Sequence, residues 1–201
     1  MLRVLGRATS GNVQKVLFLL EEMKLPYTRE DYGRQFNNTQ DEAYLKLNPN
    51  GKVPTLVDGD NVIWESNTIL RYLCNKQKNA DLYPADPAAR SQVERWMDWM
   101  LASLNPPYLG IFKEAKKAPG ERAASWDADA KELKTQLEIL DRGIAGSPWA
   151  AGAAFTLADI ALAPVVHRCL DFPVDLPALP KLRAWRDKVV QRPAFRKAAG
   201  L

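Results

Sequence analysis

Histidine and cysteine are scarce in this chain of 201 residues: His167 stands alone, and the cysteines are Cys74 and Cys169. With no Cys-x-x-Cys pair and no histidine cluster, a zinc site or a disulfide framework lacks its ligands, and a reducing cytoplasm is the expected home. Long apolar runs are missing too. No stretch approaches the ~20 residues needed to cross a bilayer. The start, Met1-Leu2-Arg3-Val4-Leu5-Gly6-Arg7, is too short and too charged to serve as a secretory leader. Charge is not gathered anywhere: the formal net charge of +4 is spread along the chain. That is too diffuse for a nucleic-acid surface, though mildly favourable to small anions. No internal repeat or low-complexity tract is visible. What is present is an ordinary soluble balance, 46% hydrophobic and 26% charged, with length for one large domain or two small ones.

The first eighty or so residues alternate strand and helix signals. Arg3 to Gly6 reads as a strand. Asn12 to Lys24 carries Val13, Val16, Leu17, Leu20 and Met23 on one helical stripe that stops before Pro26. Tyr27 to Tyr32 is expected as a strand and Asp41 to Leu47 as a short helix. Val53 to Val57 and Val62 to Trp64 flank the hairpin signal Asp58-Gly59-Asp60-Asn61, and Ser66 to Gln77 closes the set as a helix. The order β-α-β-α-β-β-α is that of a thioredoxin-like α/β domain, whose right-handed crossovers place the first three strands in one sheet.

A polar stretch ending in Tyr83-Pro84-Ala85-Asp86-Pro87 has a linker's composition, and everything beyond it is helical in pattern. The expected division is residues 1–78, a linker over 79–86, and an all-α domain over 87–201. Val93, Trp96, Met97, Met100, Leu101 and Leu104 mark one amphipathic helix, which Asn105-Pro106-Pro107 should kink or break. Asp127 to Ala145, Thr156 to Leu170 and Pro180 to Val190 follow as helices, and Pro193 is expected to start a short last one. Thr156-x-x-Asp159 is a capping box, with Phe155 and Ile160 placed for a hydrophobic staple.

The chemistry concentrates in Asn48-Pro49-Asn50-Gly51-Lys52-Val53-Pro54-Thr55-Leu56-Val57-Asp58 and in Trp64-Glu65-Ser66-Asn67. The first offers extended backbone at Val53, beside a proline with no donor, to any peptide lying alongside. The second opens a helix, where unpaired N–H groups and the dipole favour a carboxylate. Edge pairing at one end and anion capture at the other suit a short acidic peptide. The loop Arg7-Ala8-Thr9-Ser10-Gly11-Asn12 adds hydroxyls and an amide at the start of the first helix. Taken locally, Ser10 reads as a helix cap ahead of a functional donor.

Together these segments resemble the cytosolic glutathione transferases, and the resemblance covers essentially the whole chain, including Phe155-Thr156-Leu157-Ala158-Asp159-Ile160 as that family's structural folding motif. It implies an enzyme that activates the thiol of glutathione, its co-substrate, for attack on a small, largely apolar electrophile. Ser10 and Asn12 would stabilise the thiolate, with Thr9 as rival for the hydroxyl. Val53 would pair with the cysteinyl unit beside a cis Pro54, Glu65 and Ser66 would hold the γ-glutamyl end, and Lys52 would face the glycyl carboxylate. Arg34, Gln35 and Asn38 lie where the family often adds a glycyl contact. The Ser-x-Asn loop is similar to the serine-type theta and delta classes and to the bacterial nu-like proteins. No tyrosine stands at the first helix for the alpha, mu and pi pattern, and no cysteine for the omega, beta and lambda pattern. The resemblance also implies a second-substrate pocket drawing on Trp99, Tyr108, Phe112, His167 or Phe172, and a homodimer seam along Arg90 to Leu104. Glutathione-dependent disulfide reduction or peroxidase chemistry, or a non-catalytic module of the same fold, are the alternatives. No membrane or nucleic-acid partner is expected.

Overall fold

The computed structural model describes residues 1–144 and 146–201. Ala145, where the stripe from Asp127 was expected to end, lies outside the described residues. The chain divides into two compact units, Met1–Ala80 with Val190–Leu201, and Asp81–Val189.

In the first unit the order is β1 (Leu2–Leu5), α1 (Gly11–Glu22), β2 (Tyr27–Glu30), α2 (Glu42–Leu47), β3 (Thr55–Asp58), β4 (Asn61–Trp64) and α3 (Ser66–Lys76). The strands form one sheet in the order β2-β1-β3-β4. β1 runs parallel to β2, Leu2 opposite Tyr27, and antiparallel to β3, Leu5 opposite Thr55. Gly59 at φ +60° turns β3 into β4, whose register sets Thr55 against Trp64. This is the thioredoxin-like arrangement expected from the element order, with β3 starting two residues later than the Val53 expected.

α1 departs from a one-sided stripe. Every residue from Val13 to Leu20 is buried, Gln14 and Lys15 included. One cause is distant in sequence: the last helix joins this unit rather than the helical one. The chain returns from the second unit, and its final helix, Pro193–Ala199, packs on α1. Phe195 meets Phe18 edge-on at 5.2 Å between centroids, and Arg192 grips Glu22 in a fork at 2.6 and 2.7 Å. Lys197 adds a bond to Glu21 at 2.9 Å.

The second unit is all helical: α4 (Pro87–Trp99), α5 (Asn105–Glu114), α6 (Trp126–Gly143), α7 (Leu157–Cys169) and α8 (Pro180–Val190); the final helix is thus α9. The expected break at Asn105-Pro106-Pro107 takes a particular form. Met100–Leu104 is a π-helical segment between α4 and α5, and Asn105 N–H bonds the Met100 carbonyl five residues back. The prolines then fall in the first turn of α5, where missing N–H groups cost least.

The capping box forms as expected and does more than cap. Asp159 Oδ2 accepts the Thr156 N–H at 2.9 Å, while Oδ1 accepts the Ala150 N–H at 2.9 Å and the Trp185 indole N–H at 2.7 Å. A fully buried carboxylate thus joins α7, α8 and the loop before them. No helix of the described residues is long and apolar enough to cross a membrane.

Candidate functional site

The residues singled out in the first unit meet where β1, α1, the turn before β3 and α3 begin or end. Space is tight at Gly6: a β-carbon there would lie 2.5 Å from Val13 Cγ2 and 3.2 Å from Val53 Cβ. Glycine therefore lets the strand end, the helix start and Val53 converge. Ser10 follows as the N-cap of α1, with extended backbone at φ −80° and ψ 125°, and its carbonyl accepts the Gln14 N–H at 2.9 Å. Its hydroxyl makes no capping bond. The capping alternative is therefore met by the backbone alone. Ser10 is 8% exposed, whereas Thr9 lies on the surface.

The Val53–Pro54 peptide bond is cis. A buried polar cluster fixes the chain just before it. The Tyr44 hydroxyl donates to the Lys52 carbonyl at 2.6 Å, and Asn48 Nδ2 donates to the same carbonyl at 2.8 Å. Thr55 Oγ1 accepts from Asn48 Nδ2 at 3.1 Å and lies 2.9 Å from the Tyr44 oxygen, to which it is left to donate. Burial pushes the Tyr44 phenol above its ordinary value, so it stays a neutral donor. The Asn48 side chain accepts the Asn50 N–H at 3.0 Å, and its carbonyl accepts the Gly51 N–H at 3.0 Å, closing a turn in which Gly51 takes φ +61°. Val53 lies beyond the last rung of the β1–β3 ladder at Leu5 and Thr55, as an edge-pairing role requires.

Across the cleft, Glu65 caps α3 with φ 69° and ψ 114°, on the positive side that side-chain-bearing residues rarely adopt. That turn sets Ser66, 3% exposed, at the first helical position, where the opening N–H groups have no helical acceptor. Ser66 Oγ donates to Asn12 Oδ1 at 3.4 Å, joining the first turns of α1 and α3. Asn50 Nδ2 reaches Glu65 Oε1 at 3.5 Å. The resulting cleft, about 50 Å³, is lined by Asn12, Lys52, Val53, Pro54, Glu65 and Ser66, together with Asn48 and Asn50. Of the candidates named from the sequence, Asn12, Lys52, Val53, Pro54, Glu65 and Ser66 line it, whereas Ser10, two residues before Asn12, and Thr9, Arg34, Gln35 and Asn38 do not.

Tyr44, Asn48, Asn50, Thr55 and Gly6 were not singled out. The Asn-Pro-Asn-Gly order signals an Asx turn that would have flagged Asn48. No local signal marks Tyr44. Arg34 and Gln35 are exposed, in a single 3₁₀ turn. Asn38 braces the loop, accepting the Gly33 N–H at 3.0 Å and donating to the Asp31 carbonyl at 3.1 Å.

In the second unit, Tyr108, Phe112 and Phe172 gather: Tyr108 lies 5.6 Å from Phe112 and 5.9 Å from Phe172 between centroids, with Arg168 donating to the Tyr108 oxygen at 3.2 Å. Trp99 belongs to a different group, its indole bonding Gln136 Oε1 at 3.1 Å. His167 is held below its ordinary pKa, chiefly by desolvation. Burial raises both thiols, Cys74 to about 12 and Cys169 further, which makes them inert spectators.

Residues 9–76 match the glutathione S-transferase N-terminal domain, and residues 123–188 match the glutathione S-transferase C-terminal domain. The chain is 37% identical to glutathione S-transferase GstB of Escherichia coli K12, over 98% of this chain and 97% of that protein. It is 31% identical to glutathione S-transferase 4 of Zea mays, over 98% of this chain and 91% of that one. The theta class glutathione S-transferase of the citrus canker pathogen Xanthomonas axonopodis pv. citri, solved with glutathione bound, superposes with a TM-score of 0.93. That likeness holds at 35% identity over 100% of this chain and 97% of the other. The chain belongs to the glutathione S-transferase family.

Proposed function

We propose that this protein is a cytoplasmic glutathione transferase that conjugates glutathione to a small, largely apolar electrophile and works as a homodimer. The observation that carries this is the convergence, in one cleft, of Asn12, Lys52, Val53, Pro54, Glu65 and Ser66. Glutathione carries an ammonium and a carboxylate at one end, a peptide backbone in the middle and a carboxylate at the other. Glu65 accepts from the ammonium, and Ser66 donates to the neighbouring carboxylate from its hydroxyl and backbone N–H. Val53 pairs with the cysteinyl backbone, and Lys52 faces the glycyl carboxylate.

The sulfur then lies toward the start of α1. A free thiol has a pKa of ~8.5, so only a few per cent is thiolate at neutral pH. Three groups favour the anion: the Ser10 hydroxyl, the Asn12 amide N–H and the positive end of α1. The thiol proton leaves to solvent, the thiolate forms a carbon–sulfur bond, and the leaving group departs with its electron pair.

The test is a paired assay of wild type and Ser10→Ala for glutathione binding, conjugation of a chromogenic aryl halide, and reduction of a mixed disulfide. Conjugation lost in Ser10→Ala with binding retained supports the proposal. Disulfide reduction without conjugation would replace it with a redox role, and absence of glutathione binding would remove it.

A further inference from the structure

The Glu65 carboxylate lines the cleft, is exposed, and makes no capping bond to the helix it opens. An exposed carboxylate on a flexible stem loses rotamer freedom when a ligand fixes it, and that loss weakens binding unless the group is already held. Among the described residues Glu65 has one side-chain hydrogen-bond partner. Asn50 Nδ2 donates to its Oε1 at 3.5 Å, from the turn before β3 to the start of α3.

Asn50 is itself fixed. Its N–H donates to Asn48 Oδ1 at 3.0 Å, and Asn48, 2% exposed, is anchored through Nδ2 on the Lys52 carbonyl and Thr55 Oγ1. Gly51, next in the chain, is held from both sides. Its N–H bonds the Asn48 carbonyl at 3.0 Å, and its carbonyl accepts from Gln40 Nε2 at 3.4 Å. A β-carbon on Gly51 would lie 2.4 Å from that Nε2, so Gln40 closes over the turn. Asn50, which also lines the cleft, therefore presents its amide from a braced backbone. The donor is neutral. A lysine or arginine in its place would pair with the carboxylate and repel an incoming cation, whereas an amide orients the carboxylate and leaves its charge intact.

We propose that Asn50 is a positioning residue for ammonium recognition: its amide aims the Glu65 carboxylate into the cleft and leaves the charge of that carboxylate to the ammonium of a γ-glutamyl ligand. This rests on the glutathione site described above. One carboxylate oxygen is committed to Asn50 and the other is left to the ligand, so Asn50 acts on the ammonium alone and not on the rest of the peptide.

The test is calorimetric titration with two ligands, glutathione and glutaryl-cysteinylglycine, which keeps both carboxylates and lacks the ammonium. Wild type should prefer glutathione. Asn50→Ala, which retains the backbone N–H bonded to Asn48, should bind glutathione about three- to tenfold more weakly and the glutaryl peptide within about twofold of wild type. Asn50→Lys, which places a cation beside Glu65, should abolish the preference while still binding the glutaryl peptide. In a Glu65→Gln background, Asn50→Ala should change the preference no further. Circular dichroism checks the fold of each variant. Equal losses for both ligands in Asn50→Ala would make Asn50 a brace of the turn and overturn the inference. So would a preference that survives Asn50→Lys, or a wild type that does not distinguish the two ligands, and in each case the glutathione site would stand. No binding of glutathione by wild type would remove the site and the inference together.

Discussion

At Ser10 the backbone and the hydroxyl have separate tasks: the carbonyl starts α1, and the hydroxyl takes no part in capping it. Removing the hydroxyl should therefore cost little stability and much activity. A hydrogen bond to a charged group is worth about 1.5–3 kcal/mol, so Ser10→Ala should lower kcat/KM for conjugation by about ten- to a hundredfold. The reverse holds for Gly6. A β-carbon 2.5 Å from Val13 Cγ2 forces the start of α1 or Val53 to shift, and Gly6→Ala should lose about 1–3 kcal/mol in urea unfolding along with glutathione affinity. Tyr44→Phe is intermediate. The Lys52 carbonyl keeps its bond from Asn48, so a loss of about 1 kcal/mol is expected, with a raised KM for glutathione and kcat nearly unchanged.

The elements that build the cleft differ in how plainly the sequence announces them. The Asn48–Gly51 turn, the Val53–Pro54 step and the helix start at Glu65–Ser66 were legible because turn and cap residues carry their geometry locally. So was the Thr156–Asp159 box, although its bonds to Ala150 and Trp185 were not. Asp159→Ala would strand the Ala150, Thr156 and Trp185 donors in a buried place. The expected cost is about 3 kcal/mol or more, read as a fall in Tm of at least ~6 °C. Lys15 and Tyr44 were illegible for a different reason. A lysine amid Val13, Val16 and Leu17 reads as an ordinary solvent-facing helix position. What helps bury α1 includes α9, whose Arg192 reaches Glu22 across 170 residues of sequence. Periodicity reports a helix's own pattern, and it is silent on a neighbour that arrives from the far end of the chain.

For the molecule as a whole, the buried Lys15 of α1 has a cost that depends on pH. Its folded-state pKa of about 7 lies below the ordinary 10.5, so the unfolded chain holds that proton more tightly. Stability on its account is lowest below pH ~7 and rises with pH toward ~10.5. Lys15→Met should thus be more stable than wild type near neutrality, with the gap in unfolding free energy narrowing as pH is raised toward ~9. The two matched transferase domains and the cleft of the first unit bear on one claim, that this protein binds glutathione and holds its sulfur as thiolate. The most direct measurement is an ultraviolet difference titration of the bound glutathione thiolate against pH, in wild type and in Ser10→Ala. The expected result is a bound thiol pKa about one unit or more below its free value of ~8.5 in wild type, returning toward that value in Ser10→Ala. A bound thiol that titrates at its free value in wild type would contradict the claim.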